Sequence, residues 1–333
     1  MITSIEYHNF RVLRSAVLPL AQCTVIVGPN GSGKSTALLP LDVSRGGDLS
    51  YARLVSAGVQ PPPDLVRVTI HWSESTPDLP TILHWERNPA QPTRTIPPDP
   101  TAQALRSRHA ETLKTVRIFA LSPGAIAASV QVEPSIELGR DGKNLAGVLE
   151  LIQQREPERF DALVDEFCRW LPEYDRILLP TINTGQKRIR LRKSVGKYAI
   201  DAQDLSHGTL FALTLLTVAH LPNPPEIVCL EDVDHGLHPR LMRNVCDAMY
   251  RLAFPESSGE SRKPVQVIAT THSPHLLDFF KDHPEEVVIA EKGETDATFR
   301  RLSDYPQISE ILGGTSLGEA WFSGVLGGVP AGT

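Results

Sequence analysis

Gly28-Pro29-Asn30-Gly31-Ser32-Gly33-Lys34-Ser35-Thr36 is the stretch on which the reading of this chain turns. It fits the phosphate-loop pattern G-x-x-x-x-G-K-[ST], with Gly28, Gly33, Lys34 and Ser35 at the fixed positions. The β-branched run Thr24-Val25-Ile26-Val27 precedes it and predicts a buried strand. Ser35-Thr36-Ala37-Leu38-Leu39 follows and predicts the first turn of a helix. Strand, glycine-rich turn and helix is the geometry that aims successive backbone N–H groups at phosphates. The helix N-terminus adds partial positive charge. The loop from Asn30 through Gly31, Ser32 and Gly33 to Thr36 is thus a candidate cradle for a nucleoside triphosphate. Lys34 is placed to reach the β- and γ-phosphates, and the Ser35 hydroxyl to hold Mg²⁺.

Outward from the loop, a sheet protein emerges. Ile2–Phe10 and Ala16–Leu20 are predicted strands, with Arg11 and Arg14 in the turn between them. Arg11 is either a solvated turn residue or a phosphate contact near the mouth of the loop. Val66–Trp72 and Thr81–Trp85 predict an antiparallel pair, and the proline-rich Asn88–Pro100 a surface loop. Helical periodicity runs through Asn144–Gln154 and Pro157–Trp170, where Phe160, Leu163, Val164, Phe167 and Cys168 make one face. In Lys187–Lys193, Arg188, Arg190 and Arg192 alternate with apolar residues, which on a strand puts three arginines on one face. That face is a solvated sheet surface or a track for a phosphate backbone.

Two further strands end in polar clusters. Ile227–Leu230 leads into Glu231-Asp232, and Val265–Ala269 delivers Thr270-Thr271-His272-Ser273-Pro274. Strands alternating with helices predict a largely parallel sheet, in which ligands bind at the carboxyl ends of strands. Hydrolysis of a triphosphate needs a metal ligand, a group that orients water and a sensor of the γ-phosphate. Glu231 is the candidate metal ligand beside Ser35, Asp232 the group that polarises water, and His272 the donor to the γ-phosphate or the water. A transition-metal site from His235, His238 and His272 is the weaker reading, because histidines beside Gly236 and Pro239 in a turn are usual structural hydrogen-bonders.

Composition narrows the class. The 333 residues carry a net charge of −6, which does not suit a broadly basic nucleic-acid coat. The four cysteines are scattered without a C-x-x-C pair, so they read as reduced core residues of a cytosolic protein. The sequence holds neither a signal-peptide pattern nor an apolar run of bilayer length, so a cytoplasmic protein without membrane contact is expected.

Several short motifs, in this order, resemble the ABC-type ATPases of the SMC, RecF and OLD group, and most of all the stand-alone OLD-like ATPases of the AAA family. They are Ile5-Glu6-Tyr7-His8-Asn9-Phe10-Arg11, the phosphate loop as a Walker A motif, and Asp141-Gly142-Lys143-Asn144-Leu145-Ala146. Leu205-Ser206-His207-Gly208-Thr209 resembles the signature motif, and Leu230–Pro239 the Walker B motif with its D-loop. Thr271-His272-Ser273-Pro274 resembles the switch-histidine motif, and Leu317-Gly318-Glu319-Ala320-Trp321-Phe322-Ser323-Gly324 a family ending. The resemblance implies an α/β P-loop NTPase with an ABC-type core, an antiparallel β subdomain and an inserted helical lobe. The expected divisions are residues 1–60 with Walker A, 61–100 as the β-rich subdomain, 101–200 as the helical lobe with return strands, and 201–333 with the remaining motifs.

It further implies ATP and Mg²⁺ as ligands and a head-to-tail homodimer with two ATP molecules between the subunits. In that dimer Ser206 would donate to the γ-phosphate across the interface, and Gly208 would permit close backbone approach. The biological setting it implies is DNA repair or anti-phage defence. The Glu231-Asp232 pair stands where transporter and SMC members have Asp-Glu, and the shorter Asp232 predicts slow turnover. His207 departs from the usual signature, and Gln60 is the position considered for the Q-loop glutamine. The stretch between Thr36 and Leu205 lacks the heptads of an SMC arm. The stretch after His272 is shorter than a typical domain and has no Toprim-like acidic cluster, so an associated nuclease or toxin is expected on a separate chain. A RecF-like ATPase acting directly on DNA and the ATPase subunit of a transporter are the alternatives.

Overall fold

A computed structural model describes residues 1–43, 50–56, 61–73, 79–87, 93–95, 103–183, 185–294, 296–306, 308 and 315–327. The chain forms two compact units. One comprises Met1–Ile118, Pro225–Val233 and Val265–Thr333, and the other Phe119–Pro224 and Asp234–Pro264.

The first unit holds two sheets. The antiparallel sheet has the order Leu13–Pro19, Ile2–Phe10, Leu65–Trp72, Thr81–Glu86, Thr93–Thr95. Alternation fixes its inner face: Val66, Val68, Ile70 and Trp72 are buried, with Val68 opposite Tyr7 and Ile70 opposite Ile5. The second strand starts at Leu13, earlier than the expected Ala16, because Phe10 pairs directly with Leu13. The tight turn between them is made with Asn9 and Arg11 at φ of 56° and 51°. Gln60 and most of Asn88–Pro100 lie outside the described residues. Within the stretch expected to be a loop, Thr93–Thr95 instead adds an edge strand, Thr95 pairing with Ile82.

The second sheet has six strands in the order Ala297–Arg301, Val287–Lys292, Cys23–Val27, Gln266–Thr271, Ile227–Leu230, Arg117–Phe119. Its middle is parallel. Cys23–Val27 and Gln266–Thr271 are buried throughout, as strands covered on both faces are, with the apolar runs 25–27 and 267–269 within them. The helix Lys34–Val43 places Ala37, Leu38 and Leu41 in one core with Phe10, Leu13, Ile26, Ile268 and Val288. Tyr7 anchors this helix by donating its hydroxyl to the Ala37 carbonyl at 2.8 Å, and burial pushes that hydroxyl well above the usual phenol range. Gln266 ties the sheets: its Oε1 accepts from Ile2 N, and its Nε2 donates to the Ile2 and Ala21 carbonyls.

The second unit is mainly helical, with Leu145–Arg155, Pro157–Trp170, His207–Ala219 and Met242–Ala253 as its long elements. Phe160, Leu163, Phe167 and Trp170 are buried on one helix, while Val164 and Cys168 of the expected face are half-buried. Glu166 on this helix accepts from His220 Nε2 at 2.8 Å and from Arg251 at 2.6 Å. Burial pushes the Glu166 carboxyl up, but these two partners outweigh it and hold it below the usual range. None of the four cysteines, all of them described, is in a disulfide. Burial pushes the Cys246 thiol up to about 12, so it is inert packing.

Candidate functional site

The parallel register sets the site. Val27 lies opposite Thr271 on one side and Ile289 on the other, and Leu230 lies opposite Ala269. Gly28, His272 and Glu231-Asp232 therefore leave the same edge of the sheet, at the carboxyl ends of neighbouring strands.

The loop itself is tightly constrained. A Cβ at Gly28 would lie 2.3 Å from the Ala290 carbonyl oxygen and 2.9 Å from Ser32 Oγ, so no larger residue fits. Lys34 is buried, and its Nζ donates to the Gly28 and Pro29 carbonyls at 2.7 and 2.9 Å. The ammonium thus folds over the cradle. Ser32 Oγ is buried with no hydrogen-bond partner among the described residues, an orphaned polar group inside the loop. Asn30, Gly31 and Ser35 are exposed and Thr36 half-exposed, leaving hydroxyl and backbone groups open to a ligand. These features fit a bound polyphosphate.

Asp232 and His272 meet. The Asp232 Oδ1 to His272 Nε2 distance is 3.6 Å, with both side chains substantially exposed. Asp232 adopts φ of 48°, a left-handed conformation that Asp tolerates better than most residues. Thr270 holds it there. Its buried Oγ1 accepts from Asp232 N at 2.9 Å, and its carbonyl accepts from Val233 N at 3.0 Å. Glu231 is half-buried directly after the strand.

Arg11 lies in the turn that abuts the loop: a Cβ at Gly33 would be 3.2 Å from Val12 Cγ2 and 3.0 Å from Leu13 Cδ2. Its Nε donates to the Arg53 carbonyl at 3.0 Å.

Ser206 caps the helix His207–Ala219, accepting from Thr209 N at 3.1 Å. Gly208 has a reason of its own within the unit: a Cβ there would meet the Gly236 carbonyl oxygen at 2.4 Å. His238 Nδ1 accepts from Arg240 N at 3.2 Å, and the His235 ring tilts against Phe211 at 5.7 Å. Both histidines are occupied by local structure. Among the described residues, no group of three or more His, Cys, Asp or Glu side chains is gathered as for a metal ion. Mg²⁺ needs none, since it is usually held by one or two carboxylates together with substrate phosphates and water.

The basic strand is Arg190–Lys193, with Arg188 just before it. Arg188 and Arg190 engage Asp201 at 3.2 and 3.4 Å, and Arg192 engages Asp175 at 2.7 Å. Asp175 is also bonded to Lys197. Hydrogen bonds from Arg192 and Lys197 pull the Asp175 carboxyl down to about 2.

Two residues beside the site, Thr270 and Lys292, were given no role by the sequence. Thr270 is a polar residue closing a buried strand. Lys292 ends the strand Val287–Lys292, whose Val-Val-Ile-Ala run is itself a strand signal. The terminal motif gains a place too: Gly318 N donates to Asp278 Oδ1 at 2.8 Å, which ties it to the segment after Pro274.

A family model described as "AAA domain, putative AbiEii toxin, Type IV TA system" matches residues 86–278, more than half of the chain. The chain belongs to this AAA-domain family. The matched span includes Ser206, Glu231, Asp232 and His272, while the phosphate loop lies upstream of it. No curated protein matches. Among solved structures, the fold resembles an SMC head bound to the C-terminal winged-helix domain of ScpA, with a TM-score of 0.61 at 17% identity, covering 90% of this chain and 97% of that one. It also resembles the SMC head domain from Thermotoga maritima, with a TM-score of 0.51 at 15% identity, covering 90% and 98%. The AAA-domain protein accordingly has the fold of SMC head domains. None of its described helices is long and apolar enough to cross a membrane.

Proposed function

We propose that this AAA-domain protein binds ATP with Mg²⁺, hydrolyses it slowly to ADP and phosphate, and uses the ATP state to control a separate effector. The observation that carries this reading is the convergence of the Lys34 loop with the Asp232–His272 pair at one edge of a parallel sheet. Ser35 and Glu231 would hold Mg²⁺, whose bound charge would neutralise the phosphates. The backbone of Asn30 to Thr36 would cradle the phosphates, and Lys34 would leave its carbonyls for them. Asp232 would take a proton from the attacking water at its carboxylate, and His272 Nε2 would donate to the γ-phosphate. Asp232 is already shared with His272, and its side chain is one methylene shorter than glutamate, which agrees with slow turnover.

By resemblance, two copies would enclose two ATP molecules, with Ser206 and Gly208 of one facing the loop of the other, in the manner of stand-alone OLD-like ATPases. The partner would be a nuclease or toxin on another chain, in DNA repair or anti-phage defence, within the cytoplasm. Direct action on DNA is the rival, and the carboxylate-paired arginines weigh against it.

The test is steady-state phosphate release with and without duplex DNA, together with sedimentation of Asp232→Asn in ATP. The expected result is slow, Mg²⁺-dependent release indifferent to DNA, and a dimer that forms with ATP. A DNA-stimulated rate would favour the rival, and no release under any condition would overturn the enzymatic reading.

A further inference from the structure

The strand that leads into the phosphate loop lies between two parallel neighbours. Gln266–Thr271 delivers His272 on one side. On the other side Val287–Lys292 runs parallel to Cys23–Val27, with Ile289 opposite Val27. The next residue, Ala290, packs its carbonyl against Gly28, so the strand continues alongside the loop. Two residues later Lys292 places its Nζ 3.7 Å from where a Cβ on Gly31 would stand.

No described side chain is paired with the charge there. Lys292 is exposed and has no hydrogen bond or ion pair among the described residues. The neighbouring Glu291 does not neutralise it, since its Oε1 accepts from Tyr305 Oη at 3.0 Å and lies against Gly327. An ammonium on a four-carbon stem beside exposed backbone N–H groups of a phosphate cradle is chemically a second anion ligand.

We propose that Lys292 is a further nucleotide-binding residue, contacting the polyphosphate from the side of the loop opposite His272. This rests on the ATP-binding reading above. Lys34 reaches the phosphates from within the loop, whereas Lys292 reaches them from a separate strand. Lys292 thereby couples nucleotide occupancy to the antiparallel hairpin Val287–Arg301.

The test is equilibrium binding of a fluorescent ATP analogue to the full chain, as wild type, Lys292→Gln and Lys292→Arg, at low and high KCl. One charge-assisted contact at an exposed position predicts about a tenfold weaker affinity for Lys292→Gln at low salt. The loss should shrink as salt rises, because the contact is screened. Lys292→Arg should retain most of the affinity. Equal affinity of wild type and Lys292→Gln, or a loss that salt leaves unchanged, would overturn the assignment. If the wild type bound no nucleotide at all, the ATP-binding reading itself would fail, which is a distinct result.

Discussion

Two regions of this molecule present lysines and arginines in patterns suited to phosphates, and they differ in the groups against which those cations are seen to rest. At the phosphate loop, Lys34 rests on the Gly28 and Pro29 carbonyls. Bonds to backbone carbonyls are ones that an arriving anion can displace. At the basic strand, Arg188, Arg190, Arg192 and Lys197 rest on Asp201 and Asp175. There the charge is spent within the fold. Alternation of basic residues places them on one face, but what faces them decides whether that face binds.

The largest expected effect sharpens the loop side. Asp232→Asn should lower the hydrolysis rate by ~100-fold or more while leaving ATP affinity within about twofold, since a general base contributes 10²–10⁴ to the chemical step. Single-turnover and binding measurements separate the two. Thr270→Val comes next. It removes the hydroxyl that accepts from Asp232 N and should lower kcat by about tenfold with unchanged affinity, through misplacement of the carboxylate. Thr270→Ser keeps the hydroxyl and should stay near wild type; equal loss in both variants would make Thr270 mere packing.

A smaller effect would break the contrast deliberately. Asp175→Asn combined with Asp201→Asn frees the basic strand and should create salt-sensitive binding to duplex DNA that the wild type lacks, read by titration at two salt concentrations. Replacing Arg188, Arg190 and Arg192 by Gln should leave any wild-type DNA affinity unchanged. The smallest effect is on acid stability. Asp175 has its carboxyl near 2 in the fold, below the ordinary value of 3.8, so its stabilising pairings are complete above about pH 4. Thermal unfolding midpoints of wild type and Asp175→Asn should differ by a constant amount from neutral pH to about 5, and converge as pH falls from about 4 to 2.

The legible parts of the site were those fixed by local spacing. The loop, its strand and helix, and the acids after Ile227–Leu230 follow from contiguous residues. So does His272, because a buried strand delivers its polar end to the sheet edge. The parallel sheet follows from alternation of strands and helices. Less legible was whatever depends on partners distant in sequence. Asp175 and Asp201 neutralise the arginines from other strands, a pairing set by sheet register. Thr270 matters because Leu230 is level with Ala269, and Lys292 because Ile289 is level with Val27. Gly208 reads as a contact residue in its motif, yet its close approach within the chain is to Gly236.

The most direct test of the central claim is equilibrium binding of ATP, with Mg²⁺, to the wild type and Lys34→Ala. The account predicts saturable binding by the wild type and at least ~100-fold weaker binding by the variant, with thermal unfolding of the free proteins nearly unchanged. Equal binding by both proteins would contradict the assignment of the phosphate loop, and with it the function built on that loop.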